Sequence, residues 1–210
     1  TVYIRLRPDV AAKKRTLIRV GDASLNVFGR ELISNFSLTV NFGDRIVIVG
    51  RNGCGKTALI KFLLDKNPNI KTVYMSQNYE IVDTNLTLFE NIQKFNPSIS
   101  YEILREQLGS FLFFTDEEIR RKASVLSGGE IARLAFSMVT ASQVDLLILD
   151  EPTNNLDVET VDAIVASLTE FPGGILVVSH NIDFLQSIGV NQAYAIHDKN
   201  FVVMQSTPQQ

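Results

Sequence analysis

The sequence predicts an α/β fold built around a mostly parallel sheet with helices on both sides. Short apolar runs alternate along the chain with stretches of helical spacing, and the runs at 146–149 and 175–178 are apolar throughout. Strands buried on both faces have continuous apolar runs, and strand–helix alternation favours a parallel sheet. With 210 residues, 45% of them hydrophobic and 20% charged, the chain suits one such domain with a small inserted subdomain.

The N-terminal third predicts strands that lead into a glycine-rich loop and a helix. Apolar residues alternate or run together at 17–28, 36–42 and 45–49, which indicates two or three strands. A helix is predicted at 56–64, because the apolar spacing changes there and an Asn-Pro breaker follows. A short strand is predicted at 72–75.

The middle of the chain predicts a small helical subdomain at about 84–125. Leu, Ile, Phe and Glu recur there at helical spacing, with short helices expected at 101–108 and 116–122. The remaining elements follow from the same patterns. They are a helix at 130–139 behind an N-cap at Ser127, a strand at 146–149, a helix at 158–169, a strand at 174–178 and a pair of strands within 193–204.

Composition and charge narrow the class of protein. No apolar run reaches the roughly 18 residues that a membrane-spanning helix needs. No targeting segment is visible and the first residue is Thr, so we expect a piece of a longer protein. The single cysteine, Cys54, fits a reducing, cytoplasmic compartment. A net charge of -3 argues against nucleic-acid binding by the domain as a whole.

The N-terminus is basic despite the net negative charge. The first twenty residues carry six arginines and lysines against one aspartate. We interpret residues 1–18 as a solvated leader or the end of an interdomain linker, and a segment that faces RNA phosphates is the alternative. Residues 19–205 are then expected to form the folded domain.

The segment from Gly50 to Thr57 predicts a phosphate-binding loop. It has the G-x-x-x-x-G-K-[ST] pattern and lies between a predicted strand and a predicted helix, as that pattern requires. Glycines allow several N–H groups to point into one concavity, and the helix N-terminus favours anions. Lys56 supplies a cation for the β- and γ-phosphates of ATP, and the Thr57 hydroxyl can ligate Mg²⁺. The predicted nucleotide contacts are Gly50, Asn52, Gly53, Cys54, Gly55, Lys56, Thr57 and Ala58.

Two carboxylates follow the apolar strand at 146–149. Asp150 can hold the Mg²⁺ shell opposite Thr57, usually through water. Glu151 can face the γ-phosphate and act as general base on the attacking water. Because adjacent residues on a strand point to opposite sides, the two carboxylates need not share a task.

A second anion site is predicted at Ser127–Glu130. Ser127, Gly128 and Gly129 precede a helix, where a hydroxyl and N–H groups at the positive end of the helix dipole are available. One nucleotide cannot readily use both this site and the loop at 50–57 within one small domain.

The order of these segments resembles an ATP-binding cassette (ABC) domain, and the resemblance covers about 19–205. It implies a P-loop NTPase fold with an N-terminal antiparallel β part and a small inserted helical subdomain, with ATP and Mg²⁺ as ligands. It also implies a head-to-tail pair, in which the signature Ser127, Gly128, Gly129 and Glu130 meets the γ-phosphate held by the partner cassette. The segments that carry the resemblance are the loop at 50–57, Gln77, Leu126–Glu130, Leu149–Glu151 and Ser179–His180.

The resemblance implies individual roles for several residues. Gln77 resembles the Q-loop glutamine that senses Mg²⁺ and the attacking water, and His180 resembles the switch histidine at the γ-phosphate. Asp157 resembles the D-loop aspartate at the interface of the pair. Phe28 resembles the aromatic residue that stacks on adenine, although a core position fits the sequence equally well. Ala58 departs from the Ser or Thr usual there, which removes a contact worth about 1 kcal/mol.

Two details resemble the ABC-F group, which comprises soluble tandem cassette proteins that act on ribosomes. The signature ends in Glu130 where transporters commonly have Gln, and Asn154-Asn155 stands where transporter domains more often have Ser-Ala before Leu-Asp. Asn155 departs from the His usual in ABC-F proteins, so the match is close but incomplete.

The resemblance leaves two principal functional hypotheses. The first is the second cassette of an ABC-F-like ATPase, whose partners are another cassette (in tandem or as a homodimer) and the ribosome with its rRNA or tRNA. The second is the ATPase module of a membrane transporter, in which the helical insertion docks on a transmembrane subunit. A degenerate cassette that binds ATP without turnover is disfavoured by intact Lys56, Asp150, Glu151 and His180.

Overall fold

A computed structural model describes residues 15–204. The basic residues between Arg5 and Lys14 that define most of the predicted leader therefore lie outside the described residues. The strands are β1 (Thr16–Val27), β2 (Arg30–Asn41), β3 (Arg45–Gly50), β4 (Thr72–Met75), β5 (Leu146–Asp150), β6 (Gly174–Val178), β7 (Gln192–His197) and β8 (Asn200–Met204). The helices are α1 (Lys56–Leu64), α2 (Leu88–Phe95), α3 (Tyr101–Ser110), α4 (Asp116–Arg120), α5 (Gly128–Thr140), α6 (Val158–Glu170) and α7 (Ile182–Ser187), with a 3-10 turn at Ala123–Val125.

The chain divides into two compact units. The first comprises the described residues of 15–74, 145–151 and 172–204, and the second comprises 75–144 and 152–171. We call them the sheet unit and the helical unit. Within the described residues, no helix combines the length and hydropathy that crossing a bilayer requires.

The sheet unit contains most of the six-stranded sheet and an antiparallel pair. The strand order is β4-β5-β6-β3-β7-β8, and β1 pairs with β2 separately. The pairs β5–β6, β6–β3 and β3–β7 are parallel, whereas β7–β8 and β1–β2 are antiparallel. The prediction of a mostly parallel sheet with an N-terminal antiparallel part is confirmed.

The central strands form because their side chains are apolar on both faces. Every residue of β6 is buried, as are Leu146–Leu149 in β5 and Ile46–Ile48 in β3. Residues from both sheets of this unit make one core. Its fully buried members include Leu17, Ile33, Leu38, Val40, Ile46, Ile48, Leu59, Ile60, Leu63, Leu146, Ile148 and Leu176.

The turn between β1 and β2 places an aromatic side chain in solvent. Phe28 and Gly29 are the two turn residues, and both have positive φ, at 49° and 76°. Such two-residue turns match the right-handed twist of the strands they join. Phe28 is fully exposed, so a core position for this residue is excluded.

Capping boxes define three helix starts in the helical unit. The N-cap residues are Thr87, Thr115 and Ser127, and each accepts a hydrogen bond from the backbone of a glutamate three residues later, whose side chain accepts from the cap. The box at Ser127 makes α5 begin at Gly128, two residues before the predicted start. Helices α2, α3 and α4 fall within 84–125, the range predicted for a helical subdomain.

Helix α4 is shorter than the predicted helix at 116–122. Arg121 has extended backbone angles, with φ -70° and ψ 147°. Its carbonyl accepts from the Leu88 N–H, and Lys122 forms a β-bridge with Thr87. Pairing with the start of α2 therefore ends α4 at Arg120, which local helical spacing could not indicate.

Candidate functional site

A cavity of about 330 Å³ lies at the carboxyl ends of the central strands of the sheet unit. It is bordered by the loop after β3, the start of α1 and the end of β5, as ligand sites of parallel sheets commonly are. The structure therefore brings the predicted phosphate loop and the predicted acidic pair to one place. The lining residues are Leu32, Asn52, Gly53, Gly55, Lys56, Thr57, Ala58, Asp150, Glu151 and Val178.

Glycines shape the loop for two different reasons. Gly53 and Gly55 have φ of 77° and 112°, which only glycine adopts without strain. Gly50 is required by a close approach instead, because a Cβ there would lie 2.5 Å from the Cys54 Sγ and 3.1 Å from the Ile196 carbonyl oxygen. The Lys56 ammonium donates to the carbonyl oxygen of Gly50, so the lysine folds back over the loop.

Asp150 and Glu151 border the same cavity although they are adjacent in sequence. Asp150 ends β5, and its Oδ2 accepts a hydrogen bond of 3.0 Å from the Tyr74 hydroxyl. Glu151 has a φ of 48° and its N–H donates to the Val178 carbonyl oxygen at 2.8 Å. A non-glycine residue in this region stores on the order of 1–3 kcal/mol of strain, which is typical of functional positions. The turn of backbone at Glu151 lets both carboxylates line the cavity.

His180 follows β6 and lies near Glu151. Its Nε2 is 3.6 Å from the Glu151 Oε1, which exceeds hydrogen-bond distance, and the imidazole is largely exposed. The Ser179 hydroxyl accepts from the Asn181 N–H at 3.0 Å and so orders the turn that carries the histidine. The predicted base and the predicted switch histidine are therefore neighbours.

The donor set of the cavity fits Mg²⁺. Thr57 and Asp150 both line it and offer a hydroxyl and a carboxylate oxygen. Mg²⁺ keeps several waters and is usually bound through one or two carboxylates together with substrate phosphates. Among residues 15–204 there is no group of three or more His, Cys, Asp or Glu that could hold a metal ion.

Four predicted site residues of the sheet unit lie outside this cavity lining, and His180 is one of them. Gly50 is the last residue of β3, and Phe28 is on the β1–β2 turn. Cys54 lines a second cavity of about 360 Å³ with Arg30, Arg51 and Lys199 among other residues. Among the described residues that line the phosphate-loop cavity, Cys54 does not appear, although it was predicted as a nucleotide contact.

The signature serine is held by the start of α5. The Ser127 Oγ accepts from the Glu130 N–H at 3.3 Å, and the Glu130 carboxylate accepts from the Ser127 N–H at 3.1 Å. Two of the four N–H groups expected at this end are therefore used in the capping box. The N–H groups of Gly128 and Gly129 lie between them in the first turn, and a Cβ on Gly128 would meet nothing within 4 Å.

Asp157 lies beside the signature in the helical unit. It caps α6 by accepting from the Thr160 N–H at 2.8 Å and from the Thr160 hydroxyl at 3.0 Å. These hydrogen bonds hold the pKa of Asp157 below its usual value. A Cβ on Gly129 would lie 3.3 Å from the Asp157 Oδ2, so the start of α5 closely approaches the cap of α6. Gln77 lies in an exposed turn after β4.

Comparison with known proteins assigns the family. The family model described as "ABC transporter" matches residues 33–154, which is more than half of the chain. The chain belongs to the ABC transporter family of ATP-binding domains. As a member of this family, the cassette is an ATPase domain of the ABC type.

Similar proteins include members of the F group of ABC proteins. The mouse "ATP-binding cassette sub-family F member 3" is 36% identical over 75% of this chain and 24% of its own length. The yeast (Saccharomyces cerevisiae) "Protein GCN20" is 34% identical over 75% of this chain and 22% of its own length. The Haemophilus influenzae "ATP-binding protein Uup" is 31% identical over 87% of this chain and 30% of its own length. The predicted resemblance to ABC-F cassettes is confirmed, and the chain spans about a third or less of these relatives.

Solved structures share the fold of the cassette. The "ATP binding subunit of ABC transporter" superposes with a TM-score of 0.74 and 19% identity, covering 89% of this chain and 88% of the other. A dimeric post-hydrolysis state of an ATP-binding cassette bound to ADP and Pi superposes with a TM-score of 0.71 and 18% identity, covering 92% of this chain and 100% of the other.

Sequence reasoning missed three residues at the phosphate-loop cavity of the cassette. Leu32 and Val178 line it, and Tyr74 bonds to Asp150 from the neighbouring strand. Leu32 and Val178 have no chemical signal beyond an apolar strand pattern. Tyr74 could be recognised only by knowing that β4 lies beside β5, which strand order in the sequence does not reveal.

Proposed function

We propose that this cassette binds and hydrolyses Mg·ATP as one half of a head-to-tail cassette pair, within an ABC-F-type factor that acts on ribosomes. The observation that carries the hydrolytic part is the common cavity of the phosphate loop and the acidic pair, with the His180 Nε2 3.6 Å from the Glu151 Oε1. This arrangement unites a phosphate cradle, a metal-binding carboxylate and a candidate base.

The residues of the cavity divide the work of phosphoryl transfer. The loop N–H groups and Lys56 hold the β- and γ-phosphates, and Thr57 and Asp150 would hold the Mg²⁺ shell. Bound Mg²⁺ neutralises charge on the phosphates. The Glu151 carboxylate takes a proton from water, the water oxygen bonds to the γ-phosphorus, and the bond from that phosphorus to the ADP oxygen breaks. His180 contacts the γ-phosphate beside the base, and Phe28 stacks on the adenine.

The signature at Ser127–Glu130 serves the nucleotide of another cassette in this proposal. Its capping box orders the N-terminus of α5, where the dipole favours anions. The open space at Gly128 allows a phosphate to approach the backbone closely. Asp157 lies against Gly129 and so belongs to the same surface. The partner is a second cassette, either in tandem in the parent chain or a second copy of this one.

The similarity to F-group proteins supports the hypothesis of a ribosome-associated factor over the hypothesis of a transporter module. Relatives named as F-family members reach 36% identity over 75% of this chain. We propose a cytoplasmic protein in which the basic segment before β1 continues an interdomain linker toward rRNA or tRNA. The cassette itself includes residues 16–18, which were predicted to belong to the leader, because they start β1 and because Leu17 and Ile18 are buried in the core. A transmembrane subunit would be the partner only if the transporter reading were correct.

Replacement of Glu151 by Gln tests the hydrolytic part of the proposal. The Glu151→Gln variant should bind ATP as the wild type does but hydrolyse it at least about 10²-fold more slowly, because the base is lost and the phosphate cradle remains. ATP binding is measured by calorimetry and turnover by phosphate release, in the presence of the partner cassette. The exposed Glu170 at the end of α6 provides the control, and Glu170→Gln should keep wild-type turnover. Unchanged turnover in Glu151→Gln would remove this residue from the role of base.

Co-sedimentation with ribosomes tests the cellular part. The full-length protein that contains this cassette should pellet with ribosomes in the presence of ATP when Glu151→Gln blocks hydrolysis, and should dissociate when nucleotide is withdrawn. If this protein never pellets with ribosomes, even with hydrolysis blocked, the ribosomal reading fails. Co-purification with a membrane-spanning subunit would instead establish the transporter reading.

A further inference from the structure

The Tyr74 hydroxyl donates a hydrogen bond to the Asp150 carboxylate at the end of β5. We infer that Tyr74 is a positioning residue, which orients Asp150 toward the Mg²⁺ of the bound nucleotide. This inference rests on the proposed function, because it concerns the metal of the same site. Tyr74 would thus act on the cavity only through the side chain of Asp150.

The sheet places the two groups together. Tyr74 is the penultimate residue of β4, Asp150 is the last residue of β5, and these strands are neighbours. The distance from the Tyr74 Oη to the Asp150 Oδ2 is 3.0 Å. The tyrosine ring is half-buried and packs against the core of the sheet unit. Its hydroxyl is thus held in place by a ring that has little freedom to move.

A fixed hydrogen-bond donor to one oxygen of a carboxylate restricts the position of the other oxygen. Asp150 can turn about its last side-chain torsion, which is broad for carboxylates. The Tyr74 hydroxyl selects the orientation in which Oδ2 faces β4, and this determines how Oδ1 is presented to a metal shell. Groups that bond to metal-ligating carboxylates in this way commonly contribute 10–100-fold to metal affinity. The hydrogen bond is also stronger than a neutral one because its acceptor is charged.

Removal of the hydroxyl alone tests the inference. We expect Tyr74→Phe to require about 10-fold more Mg²⁺ for half-maximal binding of ATPγS, while binding of ATPγS in EDTA stays as in the wild type. Titration calorimetry of the chain with ATPγS at stepped Mg²⁺ concentrations measures both. A purely structural role for Tyr74 would weaken binding equally with and without the metal, so that result would overturn the inference.

Tyr194 provides a matched control. It is also a half-buried tyrosine on the sheet, and its hydroxyl donates to the Gln192 Oε1 at 3.3 Å, away from the acidic pair. Tyr194→Phe should leave the Mg²⁺ dependence unchanged. In the Asp150→Asn background, Tyr74→Phe should produce no further shift, because the carboxylate through which Tyr74 acts on the metal is already absent.

The outcomes separate the inference from the proposed function. Wild-type ATPγS binding with an unchanged Mg²⁺ requirement in Tyr74→Phe overturns the inference and leaves the proposed function intact. Absence of ATPγS binding by the wild-type chain overturns the proposed function and this inference with it. A shift confined to Tyr74→Phe and lost in the Asp150→Asn background supports both.

Discussion

The phosphate loop and the signature both offer N–H groups at a helix start, but their local structures differ. The loop follows a strand whose central residues are buried, contains left-handed glycines and borders a cavity with Asp150 and Glu151. The signature follows a 3-10 turn, is held by the capping box of Ser127 and Glu130, and has its serine exposed. The phosphate loop is a half-site at which several side chains converge, whereas the signature is an ordered helix end.

This difference indicates how each half-site depends on its surroundings. The loop needs the shape of the sheet unit, so small changes of volume there should remove nucleotide binding. The signature is organised by local hydrogen bonds between residues three apart, so most changes there should alter the stability of α5 modestly. We infer that the loop is a complete phosphate cradle and that the signature is one wall of a site completed by a partner.

The largest expected effect concerns Gly50. Gly50→Ala should lower the free energy of unfolding by about 1–3 kcal/mol, because its Cβ would collide with the Cys54 Sγ and crowd the Ile196 carbonyl oxygen. The displaced loop should also lose ATP affinity. Gly109→Ala in α3 is the control, since nothing lies within 4 Å of the new Cβ, and it should stabilise by about 0.5–1 kcal/mol. Urea unfolding measures the changes in stability, and calorimetry measures the ATP affinity. Wild-type ATP binding by Gly50→Ala would contradict the dependence of the phosphate loop on the shape of the sheet unit.

A smaller effect is expected from Phe28. Phe28→Ala should weaken ATP binding by about 1 kcal/mol, or roughly fivefold, through lost stacking on adenine. The unfolding midpoint should stay unchanged because the ring is exposed. Phe114→Ala, at another exposed phenylalanine, should affect neither property. The stacking role is contradicted if Phe28→Ala retains full affinity for ATP.

An effect no larger than this is expected at the signature of the isolated chain. Ser127→Ala should lower the free energy of unfolding by about 1 kcal/mol, since it removes the acceptor of the Glu130 N–H. Ser124→Ala, at a nearby exposed serine in the 3-10 turn, should change it by less than about 0.5 kcal/mol. Chemical denaturation distinguishes the two. Equal stability of both variants would show that the capping box does not order this end of α5.

Sequence reasoning predicted the fold and the phosphate loop because both depend on local patterns. Apolar runs marked β3, β5 and β6, and the glycine-rich motif stood in its required place between β3 and α1. The end of α4 was predicted wrongly because Arg121 pairs with a segment far along the chain. The sequence pattern alone left open whether Phe28 lies in the core or stacks on adenine. Its exposure could be predicted only from the geometry of the turn.

The residues that lie beside the motif residues at the cavity were harder to predict from the sequence. The position of Tyr74 beside Asp150 follows from the strand order β4-β5-β6, which is a property of the assembled sheet. Adjacent placement of Asp150 and Glu151 on a strand predicted opposite directions, but the left-handed backbone at Glu151 turns both into one cavity. Such departures from regular geometry occur at functional positions and are not encoded by periodicity.

Nucleotide binding by the monomeric chain tests the two-half-site account most directly. Lys56→Ala removes the cation of the phosphate loop, and Gly128→Asp places a carboxylate at the signature where the structure has open space. Both variants are compared with the wild type by calorimetry with Mg·ATPγS, at concentrations where sedimentation shows a monomer. The account predicts one site per chain, at least about 10-fold weaker binding in Lys56→Ala, and wild-type affinity in Gly128→Asp. Equal loss of affinity in Gly128→Asp would contradict it, because the signature would then complete the nucleotide site of its own chain.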